Sequence, residues 1–300
     1  IEDYGIANFN EECRKIVLRY TSEWQVTVER MGRWVDFDKT YKTMDITFME
    51  SVWWVFKQLF DKGLIYKGYK VMPFSAKLGT PLSNFEAGQN YKDVDDPSLT
   101  VTFPLTEEEN TSLLVWTTTP WTLPSNLAAC VNKDASYVKI FDLKNEHYYI
   151  LAKARLSYYY KQEDLYEIKD EFLGSSLKGK TYTPPFSYFE EERANNAFQV
   201  IVADFVTLDN GTGIVHTAPA FGEDDFYCCK EAGIGIVCPV TPNGIFTSEV
   251  PDFEGMFVRD ANKKITQHLK ERNRIFRQET LRHRYPFCWR SDTPLIYRVV

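Results

Sequence analysis

The spacing of apolar residues predicts two helices near the start of the chain. In residues 10–31, apolar side chains recur every three or four positions among charged ones, and Gly32 ends this pattern. The apolar positions are Ile16, Val17, Tyr20, Trp24, Val28 and Met31. A second helix is predicted from Phe48, because apolar residues recur at the same spacing until Gly63.

After Gly68 the pattern changes to short β-rich runs separated by turn residues. Strands are predicted at residues 100–104, 112–117, 137–141, 148–151, 198–206, 213–217 and 276–283. Helices are predicted at residues 223–232 and 258–274. We therefore expect an α+β fold in which a β-barrel or strongly curved sheet carries surrounding helices.

The residue pattern changes between helical spacing and β-rich runs near residues 90 and 275, which predicts domain boundaries at these positions. The chain is thereby divided into a helical segment, 1–90, a strand-rich domain, 91–275, and a return strand, 276–300. Because the sequence begins at Ile1 and not at Met, we expect it to be a piece of a larger protein. It has no apolar run of about 18 residues, so we expect no membrane partner. We also expect a monomer and a cytoplasmic location.

The six cysteines contain no C-x-x-C pair, which favours reduced thiols over a zinc site. The net charge of −7 is unevenly distributed, because residues 259–300 contain eleven Lys and Arg but only four Asp and Glu. A basic segment on an acidic body is typical either of a phosphate-binding surface or of a solvated helix face. The charge pattern alone leaves both interpretations open.

Residues 174–181, from Gly174 to Thr181, match the phosphate-loop pattern G-x-x-x-x-G-K-[ST] letter for letter. That pattern binds phosphate only where a strand turns into a helix, whose first amide groups hold the anion. Pro184 and Pro185 follow within a few residues and prevent such a helix. We therefore interpret this segment as a surface turn.

Two other segments are candidates for the chemistry. Residues 116–126 read W-T-T-T-P-W-T-L-P-S-N, so that a strand ends in a cluster of hydroxyls at Pro120. Backbone donors at such a strand end lack ladder partners and face solvent or a ligand. Residues 211–226 read G-T-G-I-V-H-T-A-P-A-F-G-E-D-D-F, a strand that ends at His216 before an acidic helix start. Taken singly, these features are also typical of ordinary strand composition and of helix-dipole complementation.

Together the two segments resemble the editing insertion, known as CP1, of the class I tRNA synthetases for isoleucine, valine and leucine. Details favour the isoleucine family, since the valine and leucine enzymes typically carry T-T-R-P where this chain has T-T-T-P. Those relatives also lack the histidine of the H-T-A-P run at residues 216–219. Outer stretches such as residues 32–37, 49–56 and 284–295 resemble eukaryotic cytosolic members of the family.

The resemblance implies a β-barrel-like editing domain that hydrolyses valine from mischarged tRNA(Ile). Neither the H-I-G-H nor the K-M-S-K-S signature is present, so we expect no ATP-dependent aminoacylation. Some relatives bind zinc through cysteine pairs nearby, but here Cys288 is followed three residues later by Ser291 and not by a second cysteine. We accordingly expect no metal and no cofactor. The implied partners are the acceptor end of tRNA(Ile) carrying valine and the catalytic domain of the parent synthetase.

The resemblance also implies roles for individual residues. Asp225 would bind the cationic α-amino group of the substrate. Thr117, Thr118 and Thr119 would line the amino-acid side and position water or the terminal ribose, while Asn126 would brace the loop. His216 would limit side-chain size or form a hydrogen bond near the ester. The predicted catalytic residues are Asp225, Thr117, Thr118 and His216. The predicted substrate-binding residues are Thr119, Trp121, Asn126, Thr217 and Ala218.

Two alternatives remain open at this point. The chain could be a valyl- or leucyl-tRNA synthetase editing domain, which the absence of T-T-R-P disfavours. It could also be a tRNA-docking module that has lost its hydrolytic activity. All of these assignments require Asp225 and Thr117 to Thr119 to face each other across one small cavity.

Overall fold

The computed structural model describes residues 3–300, which fall into two compact units with the boundary in the chain between Gly68 and Tyr69. This division falls where the residue pattern changes, about twenty residues before the predicted boundary near residue 90. The difference arises because residues 71–81 form two short strands that pair within the second unit.

The first unit contains two helices, α1 (Ile6–Arg30) and α2 (Ile46–Asp61). Both predicted helices are confirmed, although α1 begins four residues earlier than the apolar pattern. Gly32 and Gly63 follow the two helix ends with positive φ angles of 79° and 69°, a conformation that favours glycine. Within residues 3–300, no helix has both the length and the apolar character that a membrane span needs.

The second unit contains two sheets and several short helices. Its strands are β1 (Val71–Ser75), β2 (Thr80–Pro81), β3 (Tyr91–Pro104), β4 (Thr111–Thr117), β5 (Ala128–Val131), β6 (Ser136–Asp142), β7 (His147–Ala152), β8 (Tyr166–Leu173), β9 (Gln199–Val202), β10 (Ile214–Thr217), β11 (Ile275–Pro286) and β12 (Ile296–Val299). Its α-helices are α3 (Asn84–Ala87), α4 (Leu156–Tyr159), α5 (Glu223–Glu231) and α6 (Val258–Glu271).

The larger sheet branches at β4. Its strands follow the order β8-β6-β7-β4-β10-β5-β9, and β3 adds to β4 and carries β11. One edge of β4 pairs with β3, whereas the other pairs with β7 near Thr111 and with β10 at Trp116. A strand that changes partner along one edge bends the sheet away from a plane, and the expected α+β fold with a strongly curved sheet is confirmed.

The core lies between this sheet and α6. Leu99, Val101 and Phe103 of β3 are fully buried, as are Ile265 and Leu269 of α6. These residues alternate along the strand and recur at helical spacing along α6, as the sequence pattern predicts. Burial of their side chains stabilises the unit by about 1.5–3 kcal/mol each.

Several elements differ from the sequence-based expectation. The strand predicted at residues 198–206 pairs only over Gln199–Val202, and β8 was not predicted, since four of its eight residues are charged and most of its side chains are exposed. β11 pairs with β3 from Ile275 to Pro286, so no break between units occurs near residue 275. Residues Gly174–Leu177 form a single 3-10 turn, which confirms that this segment does not open an α-helix.

Candidate functional site

The two candidate segments meet at one cavity of about 140 Å³. It lies where β4 and β10, which run parallel as neighbours, both end, so the loops that follow them share the same edge of the sheet. The cavity is lined by Trp116, Thr117, Thr118, Thr119, Thr122, Val215, His216, Ala218, Phe221 and Asp225. The juxtaposition that the family resemblance requires is therefore present.

A turn held by its own hydroxyls forms one wall. Thr117 Oγ1 accepts a hydrogen bond from the backbone N–H of Thr119 at 3.1 Å, and Pro120 then starts a 3-10 helix. Proline suits this first helical position because its fixed φ is already helical and no amide donor is needed there. Within residues 3–300, the half-buried Thr118 hydroxyl has no hydrogen-bond partner, so it is free to bind water or substrate.

His216 belongs to a buried hydrogen-bond network whose direction the partners determine. Asn126 Nδ2 donates to the Ala128 carbonyl at 2.8 Å and to His216 Nδ1 at 2.9 Å, while Tyr182 donates to Asn126 Oδ1 at 2.8 Å. Since His216 Nδ1 accepts, the ring proton is on Nε2 and is donated to Thr122 Oγ1 at 2.9 Å.

This network fixes the protonation state of the imidazole. Burial lowers the pKa of His216 to about 3, so the ring is neutral at every physiological pH. Both ring nitrogens already form hydrogen bonds, and Thr122 Oγ1 in turn donates to the Thr119 carbonyl at 2.8 Å. His216 therefore shapes the cavity wall and positions the threonine turn, and it is not available as a general base.

Asp225 enters the cavity from the first turn of α5. Its Oδ2 accepts a hydrogen bond from the Ala218 backbone N–H at 2.8 Å. Gly222 precedes the helix, and a Cβ there would lie only 2.8 Å from Cγ of Asp225. The carboxyl group can therefore occupy this place only because residue 222 has no side chain.

Burial raises the pKa of Asp225 to about 7, although the Ala218 hydrogen bond acts in the opposite direction. The loss of hydration thus outweighs both that bond and the favourable helix terminus. A carboxyl group with so strongly shifted a pKa in a small cavity is typical of a functional site. A cation bound beside this carboxyl group would lower its pKa and so restore the ionised form.

The structure brings together most of the predicted residues. Thr117, Thr118, Thr119, His216, Ala218 and Asp225 all line the cavity. The three others lie behind its wall: Trp121 packs edge-on against Phe221, Asn126 holds His216, and the Thr217 hydroxyl donates to Cys130 Sγ at 3.0 Å. For these three, direct contact with a substrate would require movement of the wall.

Four wall residues and two supporting residues were not predicted. Thr122, Val215, Trp116 and Phe221 line the cavity, and each lies within the two segments already singled out. Strand alternation places Val215 and Trp116 opposite each other across the β10–β4 pair. Tyr182 and Gly222 act through Asn126 and Asp225, and no local sequence signal indicates either role.

Basic side chains of residues 259–300 form ion pairs and hydrogen bonds within the fold. Arg259 forms an ion pair with the buried Asp96 at 2.7 Å, and Arg274 donates to the backbone carbonyls of Thr102, Thr183 and Pro184. Burial lowers the pKa of Arg274 to about 10. Throughout residues 3–300, no three His, Cys, Asp or Glu side chains are grouped closely enough to share a metal ion.

Comparisons with known proteins agree with the motifs. Residues 1–283 match the family model described as tRNA synthetases class I (I, L, M and V). The chain is 59% identical over its full length to the isoleucine–tRNA ligase of Protochlamydia amoebophila, of which it covers 29%. It is also 59% identical, over 99% of its length, to the cytoplasmic isoleucine–tRNA ligase of Mus musculus, of which it covers 24%. The chain thus spans less than a third of the length of these relatives.

Among solved structures, the editing domain of the Plasmodium falciparum cytosolic leucyl-tRNA synthetase is similar to 60% of this chain. That similarity covers 98% of the other chain, with a TM-score of 0.46 and 11% identity. The CP1 domain crystallised as GlLeuRS-CP1 is similar to 61% of this chain, with a TM-score of 0.46 and 15% identity.

Proposed function

Because the chain belongs to the class I tRNA synthetases for isoleucine, leucine, methionine and valine, we propose that its second unit hydrolyses valine from mischarged tRNA(Ile). The observation that carries this proposal is the half-buried Asp225 facing the threonine turn across a cavity of only about 140 Å³. Sites for drug-sized ligands measure about 300–1,000 Å³, so this cavity fits only the aminoacyl end of a larger substrate.

The need for such a reaction follows from the size of the two amino acids. A hydrophobic pocket distinguishes isoleucine from valine by one methylene, worth about 1–3 kcal/mol, an established figure for this amino-acid pair that is not calculated from the structure. A second pocket that admits valine but excludes isoleucine removes the remaining errors. Identity of 59% to isoleucine–tRNA ligases supports this specificity over the valine and leucine alternatives.

In the proposed reaction a water oxygen attacks the ester carbonyl carbon. The bond from that carbon to the ribose oxygen breaks, the ribose oxygen takes up the water proton, and free valine and tRNA are released. Asp225 binds the α-ammonium group, Thr118 and Thr117 orient the water or the ribose, and backbone amides of the turn stabilise the oxyanion. Asp225 itself is not consumed, and no covalent intermediate is needed.

The partners in this proposal are the acceptor end of tRNA(Ile) and the catalytic domain of the parent synthetase. The mouse relative is named a cytoplasmic enzyme, which supports a cytoplasmic location for the reaction. We further propose that the unit acts as a monomer without a cofactor.

The proposal is tested with the variant Asp225→Ala and the matched control Asp224→Ala, since Asp224 is exposed and does not line the cavity. We expect the unmodified chain to hydrolyse valyl-tRNA(Ile) and to spare isoleucyl-tRNA(Ile). Loss of the buried charge partner should lower the rate of Asp225→Ala by at least about 30-fold, whereas Asp224→Ala stays close to the unmodified rate.

Retained hydrolysis by Asp225→Ala would contradict the assignment of this residue. Hydrolysis of neither substrate by the unmodified chain, with tRNA still bound, would instead support the docking module. Preference for a different mischarged tRNA would support a valyl or leucyl editing domain.

A further inference from the structure

A second, larger groove lies at the opposite end of β4 from the proposed catalytic cavity. It has a volume of about 930 Å³ and Ser112 forms part of its lining, whereas Trp116 lines the catalytic cavity. Residues 112 and 116 point to the same face of the strand and are about 13 Å apart. The two cavities therefore open on one face of the sheet.

The groove concentrates cations that lack carboxylate partners. Lys144, Lys270 and Arg272 line it, and within the part of the chain that the structure describes none of them forms an ion pair. Asp142 also lines the groove and accepts from the Tyr160 hydroxyl at 2.7 Å and from backbone amides, but its one negative charge stands against those of Lys144, Lys270, Arg272 and Arg274. The groove thus presents positive charge that the protein does not neutralise.

An exposed aromatic residue continues this charge toward the catalytic cavity. Arg155 and Lys161 lie 4.7 and 5.4 Å from the centroid of the Tyr158 ring. Arg277 lies 4.9 Å from the same centroid, but it is paired with Glu279, which also accepts from the Tyr158 hydroxyl at 2.9 Å. The adjacent Tyr159, 5.3 Å from Tyr158 between ring centroids, lines the groove. Cations placed around exposed rings are typical of surfaces that bind single-stranded nucleic acid.

The last link joins Tyr158 to the cavity through contacts that the structure shows directly. Arg155 Nε donates to the Gly211 carbonyl at 2.8 Å. Gly211 packs so closely on Trp116 that a Cβ there would lie 2.6 Å from the indole ring. Since Trp116 lines the catalytic cavity, this chain of contacts connects Tyr158 with the wall of the cavity.

We propose that this surface, the basic track formed by Lys144, Lys270, Arg272, Tyr158, Lys161 and Arg155, binds the phosphate backbone and bases of the tRNA acceptor strand. Its charge is complementary to phosphate, and a positive strip on a chain of net charge −7 attracts the nucleic acid to one place. The proposal rests on the proposed function, because the strand would guide its aminoacyl end into the catalytic cavity.

The test measures binding of uncharged tRNA(Ile) by fluorescence anisotropy over a range of salt concentrations. The track variant is Lys144→Ala/Lys161→Ala/Arg272→Ala, and the control Lys77→Ala/Lys178→Ala/Arg284→Ala removes the same charge outside the track. Each lost contact to a single strand lowers the salt slope of log K by about 0.7, so the track variant should lower it by about 2. The control should keep the slope of the unmodified chain.

A second pair of variants examines stacking at Tyr158. Tyr158→Ala should weaken binding roughly tenfold, whereas Tyr158→Phe keeps the ring and should bind as the unmodified chain does. Equal effects of the track and control variants, or equal binding by Tyr158→Ala and Tyr158→Phe, would overturn the proposal. So would an absence of tRNA binding by the unmodified chain.

Hydrolysis of valyl-tRNA(Ile) by the same variants separates this proposal from the proposed function. If the unmodified chain hydrolyses the substrate and the track variant does so with unchanged KM, the track is refuted and the hydrolytic function stands. If the unmodified chain does not hydrolyse it but the track variant loses tRNA binding, the function is refuted and the track stands.

Discussion

Replacing Asp225 with Asn should stabilise the protein at neutral pH while removing its proposed activity. Asn has nearly the same shape and can still accept the hydrogen bond from the Ala218 N–H, but it does not ionise. The pKa of Asp225 moves from 3.8 to about 7 on folding, because burial disfavours the charged carboxylate. The folded state therefore binds this proton more tightly than the unfolded chain does.

The sign and size of the effect follow from that difference. Below pH 4 the carboxyl is protonated in both states, and the full stabilising contribution is present. Between about pH 4 and pH 7 the folded state holds more protons, so the free energy of unfolding falls as pH rises. A shift of about three pH units at 1.36 kcal/mol each gives an upper value of about 4 kcal/mol. Solvent at the cavity mouth screens part of this, and we expect about 2–4 kcal/mol.

Urea unfolding of both proteins at several values between pH 3.5 and pH 8 measures this effect. The stability of Asp225→Asn relative to the unmodified chain should be constant below pH 4, rise until about pH 7 and then level off. Hydrolysis by the unmodified chain should increase over pH 6–8 as Asp225 ionises to bind the ammonium group. A stability difference that does not change with pH, or that favours the unmodified chain at pH 8, would refute this account of the site.

Three further predictions concern the cavity wall. Thr119→Gly or His216→Ala should enlarge the cavity and permit hydrolysis of isoleucyl-tRNA(Ile); unchanged discrimination in both variants would remove these residues from the size selection. Gly222→Ala should displace the Asp225 carboxyl and lower valyl-tRNA(Ile) hydrolysis at least tenfold with little loss of thermal stability. The control Gly88→Ala, whose Cβ would meet only ordinary van der Waals contacts, should change neither hydrolysis nor thermal stability. NMR titration should show the His216 ring neutral, with its proton on Nε2, from pH 8 to pH 5; a midpoint near 6.5 would contradict the buried network.

The sequence predicted those parts of the fold that local periodicity determines. The core strands around Val101 and Leu113 were expected from their β-rich composition, and the two helices from apolar residues at helical spacing that ends at Gly32 and Gly63. β8 was not predicted although Tyr166, Ile168 and Phe172 alternate with charged residues, because half of the residues of this edge strand are charged, which weakens the β-rich signal. The residue pattern does change after Gly68, where the two units divide. The strands β1 and β2 that follow are too short to show that the second unit begins there.

For the candidate site, the motifs located the two segments but not the arrangement within them. Family resemblance pointed to Asp225 and His216, and both line the cavity. The hydrogen bond from Tyr182 to Asn126 joins residues 56 positions apart, and no local pattern encodes such a contact. Whether a wall threonine faces the cavity or supports it likewise depends on the branched pairing of β4, which only the folded chain reveals.

The pairing of Trp116 with Val215 also has a consequence for the order of events during synthesis. It closes a loop of about a hundred residues, so the cavity joins parts of the chain that are far apart in sequence. Contacts of this kind carry a large loop-closure cost and form late in folding. A ribosome-bound chain therefore forms this cavity only after α5 has emerged, long after the threonines of the opposite wall have been synthesised.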